Sequence, residues 1–377
     1  MKMSQRGLLC GLIAIAGFCA IPELYAQPAP AADQPIVPNP TIPETVSPSP
    51  SSSPSASPSP SASPADPAAP PTAAEAGIYI SDSGNHRIMY LKDIKGEGRK
   101  TLGRAGHEPG YFLHPCQIWV DPSGKIFVAD RDNNRVVRMD HITGFGWKEL
   151  HSGFNHPEGV ASRGDEIYVA DTGNNQVVVY DGELNKTPLR TYKDPRIDHP
   201  TSLWLDQNKD LYVTCGQDPP GGRVVKLVEP EDKTGAKWEV YEGQNLKQLG
   251  FAPTQMVTFK RQVWMVDPAA NRLVRVDNFQ GRSAREWGGY GTGLGKFRNP
   301  AGLGLSKEGN LYVADSGNDR IVEVTGNDPK EWQTYAGGSG TEGVVLRNPT
   351  SVFSWCPVPA PPPPKDDEDP KKKKKPK

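Results

Sequence analysis

Three features of this 377-residue chain predict an all-β fold, a six-bladed β-propeller. A two-strand pattern returns six times, a proline-led apolar strand precedes five of the copies, and the missing sixth strand lies at the far end of the chain. The paired strands are IYISDSGNHRIMYL (78–91), KIFVADRDNNRVVRMD (125–140), EIYVADTGNNQVVVYD (166–181), DLYVTCGQDPPGGRVVKLVE (210–229), QVWMVDPAANRLVRVD (262–277) and NLYVADSGNDRIVEVT (310–325). Each alternates apolar and polar residues, turns on Gly or Asn, and alternates again, the mark of an antiparallel hairpin.

Pro115, Pro157, Pro200, Pro253 and Pro300 each stand 14 or 15 residues before Asp130, Asp171, Cys215, Asp267 and Asp315. A short apolar strand follows each proline: QIWV, GVA, SLWL, QMVTF and GLGL. The first hairpin has no such strand upstream, and LRNPTSVFSW (346–355) supplies it from the other end. A last strand that completes the first repeat closes a ring without leaving exposed sheet edges. Successive hairpins are 41 to 52 residues apart, and stretches such as WKELHS, KWEVYEG and EWQTYAG add a fourth strand. Four strands at that period fit a propeller blade. The absence of long helix-period segments excludes a doubly wound fold.

The same residues carry a family resemblance. GRAGHEPGYFLHPCQIWVDPSGKIFVADRDNNRVVRMD (103–140) resembles an NHL repeat almost throughout, and KFRNPAGLGLSKEGNLYVADSGNDRIVEV (296–324) resembles another. The resemblance covers the block 77–356 and implies a six-bladed NHL-type propeller. It does not imply one function, because such propellers include interaction platforms, RNA-binding modules and a few lyases.

The flanks differ in composition. Of 39 prolines, 15 lie between Gln27 and Pro71 and 8 after Cys356. Residues 1–26 read as a secretory signal: Lys2 and Arg6 precede an apolar run from Gly7 to Ile21, with cleavage expected after Ala26. Cys19 does not make it a lipoprotein signal, since Phe18 stands where a small residue is needed. The expected location is therefore outside the cytoplasm: periplasm, cell envelope or medium. Residues 27–76, rich in Pro, Ser and Ala, read as a disordered spacer that would extend more than about 100 Å as polyproline II. Residues 357–377 read as a disordered Pro/Lys-rich tail, whose lysine run offers an electrostatic contact to an anionic envelope polymer. Between the flanks, 34 basic and 35 acidic side chains balance. A balanced block has no electrostatic footprint for nucleic acid, which disfavours generic nucleic-acid binding and weighs against the RNA binding known for some NHL propellers. Cys116, Cys215 and Cys356 remain after export, in no metal or redox spacing, and read as small buried apolar residues.

Two sets of polar residues stand out. Asp82 with Arg87, Asp130 with Arg135, Asp267 with Arg272, and Asp315 with Arg320 recur together. Recurrence around a ring marks a part that serves every blade, so these are expected to pair within their hairpins. Blade four departs from the pattern, with Cys215 in place of the Asp and a longer loop, GQDPPGG, whose residues Asp218 to Gly221 are read as a local specialisation of one surface. The turns DRDNN (130–134) and DSGND (315–319) look like calcium loops but lack the length and the closing Glu, so Gly and Asn serving positive φ explain them better.

The second set is His114, His156 and His199, each directly before a blade proline, with Glu158 beside His156. Repeat symmetry places them around one mouth of the channel, where three imidazoles would suit zinc. Asn299 and Asn348 fill the same slot elsewhere, which points to a turn requirement instead. The peptide-amidating lyases that share this fold carry zinc histidines just after the proline. Here those places hold Cys116, Glu158, Thr201, Thr254, Ala301 and Thr350, so that site does not carry over. No cofactor is expected, with zinc or calcium as the alternative.

The function read from these residues is an exported, monomeric, non-enzymatic scaffold that binds a protein or glycan. The alternative is a propeller hydrolase or lyase, lactonase-like, using a metal at the channel mouth.

Overall fold

The computed structural model describes residues 73–356, apart from 207, 209, 217–221, 229–236, 242–252, 278–282, 307, 327 and 337–344. The signal segment, the spacer up to residue 72, the blade-four loop from Asp218 to Gly221 and the tail from residue 357 lie outside the described residues.

The six hairpins recruit one strand on each side and form six four-stranded antiparallel sheets. Blade two runs outward through Pro115–Val120, Ile126–Asp130, Arg135–Met139 and Lys148–Leu150. The other inner strands are Pro157–Arg163, Pro200–Leu205, Gln255–Phe259, Pro300–Leu305 and Pro349–Trp355. Each inner strand touches those of the two neighbouring blades, so the six form a closed cycle. Closure comes from Pro349–Trp355, which pairs antiparallel with Gly77–Asp82, placing Gly77 opposite Trp355 and Ile80 opposite Val352.

The paired strands of a blade do not alternate in burial, and Arg135–Met139 is as fully buried as the strand before it, for a packing reason. Ile126, Phe127, Val128, Ala129 and Asp130 are all buried, because neighbouring blades cover both faces of the sheet. The core is accordingly a set of layers between blades rather than one centre, as with Trp264, Leu273, Phe297 and Leu303 between blades five and six. Near the axis, Gln117 Oε1 accepts from Val160 N–H (3.1 Å) and Leu203 N–H (2.9 Å), and its amide donates to the Leu203 carbonyl (2.6 Å). One side chain thereby ties three blades together.

Helix is confined to five three-residue 3-10 turns among the described residues, none long enough to cross a membrane. Four of these turns follow the hairpin Asp and revise one expectation. In the turn at 130–134 Asn134 carries the positive φ, as expected; in the other three it is His86, Asn175 or Asp319 after the turn, and not Gly84, Gly173 or Gly317 inside it. Gly84 and Gly317 are required for close approach: a Cβ on either would stand 2.7 Å from the carbonyl oxygen of Arg347 or Arg298.

The boundary of the spacer also moves. Residues 73–76, expected to be its last part, pack on the propeller. Ala74 N–H donates to the Gly124 carbonyl (3.0 Å), and Glu75 Oε1 lies 2.7 Å from His141 Nε2 and pairs with Lys100.

Candidate functional site

The hairpin aspartates are hubs within their blades. Asp130 is fully buried; its Oδ1 accepts from Leu113 N–H (2.8 Å) and its Oδ2 from Asn133 Nδ2 (2.8 Å) and Arg135 Nε (2.7 Å). The same ion pair joins Asp82 to Arg87 (2.7 Å), Asp267 to Arg272 (2.9 Å) and Asp315 to Arg320 (2.7 Å). In blade three Gln176 stands in for the Arg and donates to Asp171 Oδ2 (2.7 Å). Blade four buries Cys215 at this place, and burial pushes its thiol up to about 12.

His114, His156 and His199 occupy the left-handed region, with φ of 47°, 50° and 45°, as do Asn299 (48°) and Asn348 (45°). Each of these five gives its backbone N–H to the positive-φ residue of the preceding blade's turn. His114 donates to His86 Nδ1 (3.1 Å), His156 to Asn134 Oδ1 (2.8 Å), His199 to Asn175 Oδ1 (2.8 Å), Asn299 to Asn271 Oδ1 (2.8 Å) and Asn348 to Asp319 Oδ1 (2.7 Å). The slot is therefore a staple between blades, made by backbone shape rather than by imidazole chemistry.

Two of the imidazoles, those of His114 and His156, face one carboxylate, Asp132, and the third, that of His199, faces another. His114 Nδ1 is 2.5 Å from Asp132 Oδ2 and its ring meets that of His86 edge-on at 4.4 Å. His156 Nε2 lies 4.0 Å from Asp132, whereas His199 Nδ1 lies 2.9 Å from Asp198 Oδ1. Burial would raise the Asp132 carboxyl, but the His114 hydrogen bond and the charges of Arg131, His114 and His156 outweigh it and hold the group below its usual range. Burial, reinforced by His114, lowers the His86 imidazole. Glu158 is not a partner of His156; it pairs with Arg131 Nε at 3.1 Å, and burial still raises its carboxyl. Among the described residues, no group of three or more His, Cys, Asp or Glu side chains is placed to hold one metal ion. Next to this rim, Thr254 Oγ1 donates to the Ala301 carbonyl (3.1 Å) and Thr350 Oγ1 to the Pro115 carbonyl (3.1 Å), further links between blades.

The opposite mouth has a different character. Trp119, Trp204 and Phe353 each stand four residues after their blade proline, at the far ends of inner strands. Trp119 meets Trp204 edge-on at 5.8 Å and Phe353 at 4.9 Å. With Phe259, Leu305 and Trp355 they wall a cavity of about 350 Å³, edged by Asp206, Ser306 and Ser354. Trp204 Nε1 donates to Thr258 Oγ1 (3.0 Å) and Trp355 Nε1 to the Asp121 carbonyl (2.8 Å). Trp119 Nε1 is buried and meets no acceptor among the described residues.

Repeats matching this architecture are found by comparison. An NHL repeat family model matches residues 154–180 and 297–323, in blades three and six. The chain carries NHL repeats. NHL repeat-containing protein 3 of Homo sapiens is 26% identical over 136 residues, 31% of this chain and 39% of that protein. Its Mus musculus counterpart is 26% identical over 133 residues, 30% and 38% of the two chains. The NHL-repeat chain thus spans about two-fifths of the length of these curated relatives. Among solved structures, a nidogen/laminin complex gives a TM-score of 0.55 at 15% identity, covering 74% of this chain and 98% of that one. A streptogramin B lyase gives 0.51 at 15% identity, covering 75% and 88%. These two likenesses concern the fold alone.

Proposed function

We propose that this NHL-repeat propeller is an exported, non-enzymatic binding module that presents its aromatic channel mouth to a protein or glycan partner. The observation that carries the reading is the contrast between the two mouths. At one, the polar residues hold blades together; at the other, five aromatic side chains wall an open cavity, the kind of concave apolar surface ligands occupy. The fold itself favours neither binding nor catalysis, since one neighbour is a lyase and another belongs to a complex of two proteins.

The test is a tryptophan-fluorescence titration with oligosaccharides and with peptides, on the full chain and on a chain ending at Cys356. At least one ligand class is expected to give a saturable shift in one of the two forms. Phe353→Ala should then weaken binding about tenfold, which is about 1.4 kcal/mol, without abolishing cooperative unfolding. A flat response from both forms overturns the reading. So does turnover of a lactone or ester that is lost with His156→Ala.

A further inference from the structure

The aromatic mouth adjoins the place where the described chain ends. Trp355 and Cys356 line the cavity, and the next residues are Pro357-Val358-Pro359-Ala360 followed by Pro361 to Pro364. Such a run favours polyproline II, three residues per turn and about 3 Å per residue, a preformed shape that docks against aromatic rings at little entropic cost. Prolines bring carbonyl acceptors and no N–H. That leaves no N–H to be stranded against a mouth walled by five aromatic side chains. Charge adds a second match. After the prolines come Asp366, Asp367, Glu368 and Asp369, and beside Phe259 on the cavity wall stand the exposed Lys260 and Arg261. Lys260 Nζ lies 4.9 Å from the centre of the Phe259 ring.

We propose that residues 357–364 of this chain dock in cis into the aromatic mouth, with the acidic run 366–369 set against Lys260 and Arg261, so that the chain's own tail caps the binding surface. The proposal rests on the reading of that mouth as a ligand site. From Pro357 to Asp366 is nine residues, about 28 Å in extended polyproline form, and both Cys356 and Phe259, the neighbour of Lys260, line the one cavity of about 350 Å³ that this length would have to cross. Attachment at Cys356 also gives the segment an effective concentration of about 1 mM at the mouth. A dissociation constant of about 0.1 mM for the free segment would then leave about nine-tenths of the mouths capped.

The experiment uses three proteins and one synthetic peptide spanning residues 357–369. The proteins are the full chain, a chain ending at Cys356, which removes no described strand, and a full-length variant with Pro361, Pro362, Pro363 and Pro364 all replaced by Ser. Peptide binding is read by tryptophan fluorescence and by calorimetry. The expected result is saturable binding to the shortened chain, at least tenfold weaker binding to the full chain, and restored binding in the proline variant. Lys260→Glu with Arg261→Glu in the shortened chain should weaken the peptide several-fold. Equal binding to the full and shortened chains overturns the proposal, as does no binding to the shortened chain. If the shortened chain instead binds an oligosaccharide and ignores the peptide, the tail is not the occupant and the binding-module reading stands.

Discussion

Arg135 is 1% exposed, and its polar contacts lie in blade two and in the segment that leads into it. It pairs with Asp130 (2.7 Å) and Glu149 (2.8 Å) and donates to the carbonyls of His107 (2.7 Å) and Tyr111 (2.7 Å). Removing it leaves the buried Asp130 carboxyl, which burial already raises, without its cationic partner. Arg135→Met is therefore expected to cost about 3–5 kcal/mol in urea denaturation. The same change at Arg87, whose side chain is 13% exposed so that solvent already screens the pair, should cost about 1–2 kcal/mol. Equal costs at the two sites would show that burial does not set the strength of these pairs. The pairing was legible in the sequence because it recurs at fixed spacing. The third partner of each Asp, a backbone N–H such as that of Leu113, was not, because any residue type can supply it.

At the scale of the elements, the histidines illustrate how a repeat misleads. Three imidazoles in equivalent blades look like a ligand set, but the requirement they share is a left-handed backbone and an N–H aimed at the preceding turn. Asparagine at positions 299 and 348 already hinted at this. His156→Gly and His156→Asn are expected to stay within about 0.5 kcal/mol of the parent, whereas His156→Val should cost about 1–2 kcal/mol, because a branched side chain resists positive φ. Thermal denaturation of the three variants checks the order; a large loss with Asn would restore a chemical role to the ring. The turn residues that accept these bonds could not be read as partners, since each lies 22 to 29 residues away in the neighbouring blade. The aromatic wall was within reach of the same reasoning. Trp119, Trp204 and Phe353 share one offset from their prolines, while Ala161, Val257 and Gly304 hold it in the other blades. Alternating strands absorb aromatics so readily that the offset reads as core until the rings are seen facing one another.

For the whole molecule, closure is the property that the order of repeats announced most directly. A propeller without its last inner strand would expose the edge of Gly77–Asp82 and the apolar faces of two blades. A chain ended after Asn348 is expected to lose cooperative thermal unfolding and to aggregate, whereas one ended at Cys356 should melt within about 2 °C of the full chain. A folded, cooperative protein lacking Pro349–Trp355 would mean that the ring does not depend on this strand. What repeat counting could not reveal is that the two mouths differ so much in chemistry, because the repeat fixes where strands start and end and leaves the identity of their terminal side chains free.

Closure in this manner also has a mechanical side. The described chain enters by hydrogen-bonding Ala74 to Gly124 and leaves with Trp355 bonded to Asp121, so both ends are moored at one four-residue turn of blade two, Asp121 to Gly124. Gly77 faces Trp355 and Ile78 faces Ser354 in adjacent antiparallel strands, whose free ends lie side by side. Tension drawing those ends apart would load the ladder one rung at a time, as a zip opens, rather than shearing all rungs together. The ring would yield first at its own seam, and the other five blades would be spared the pull.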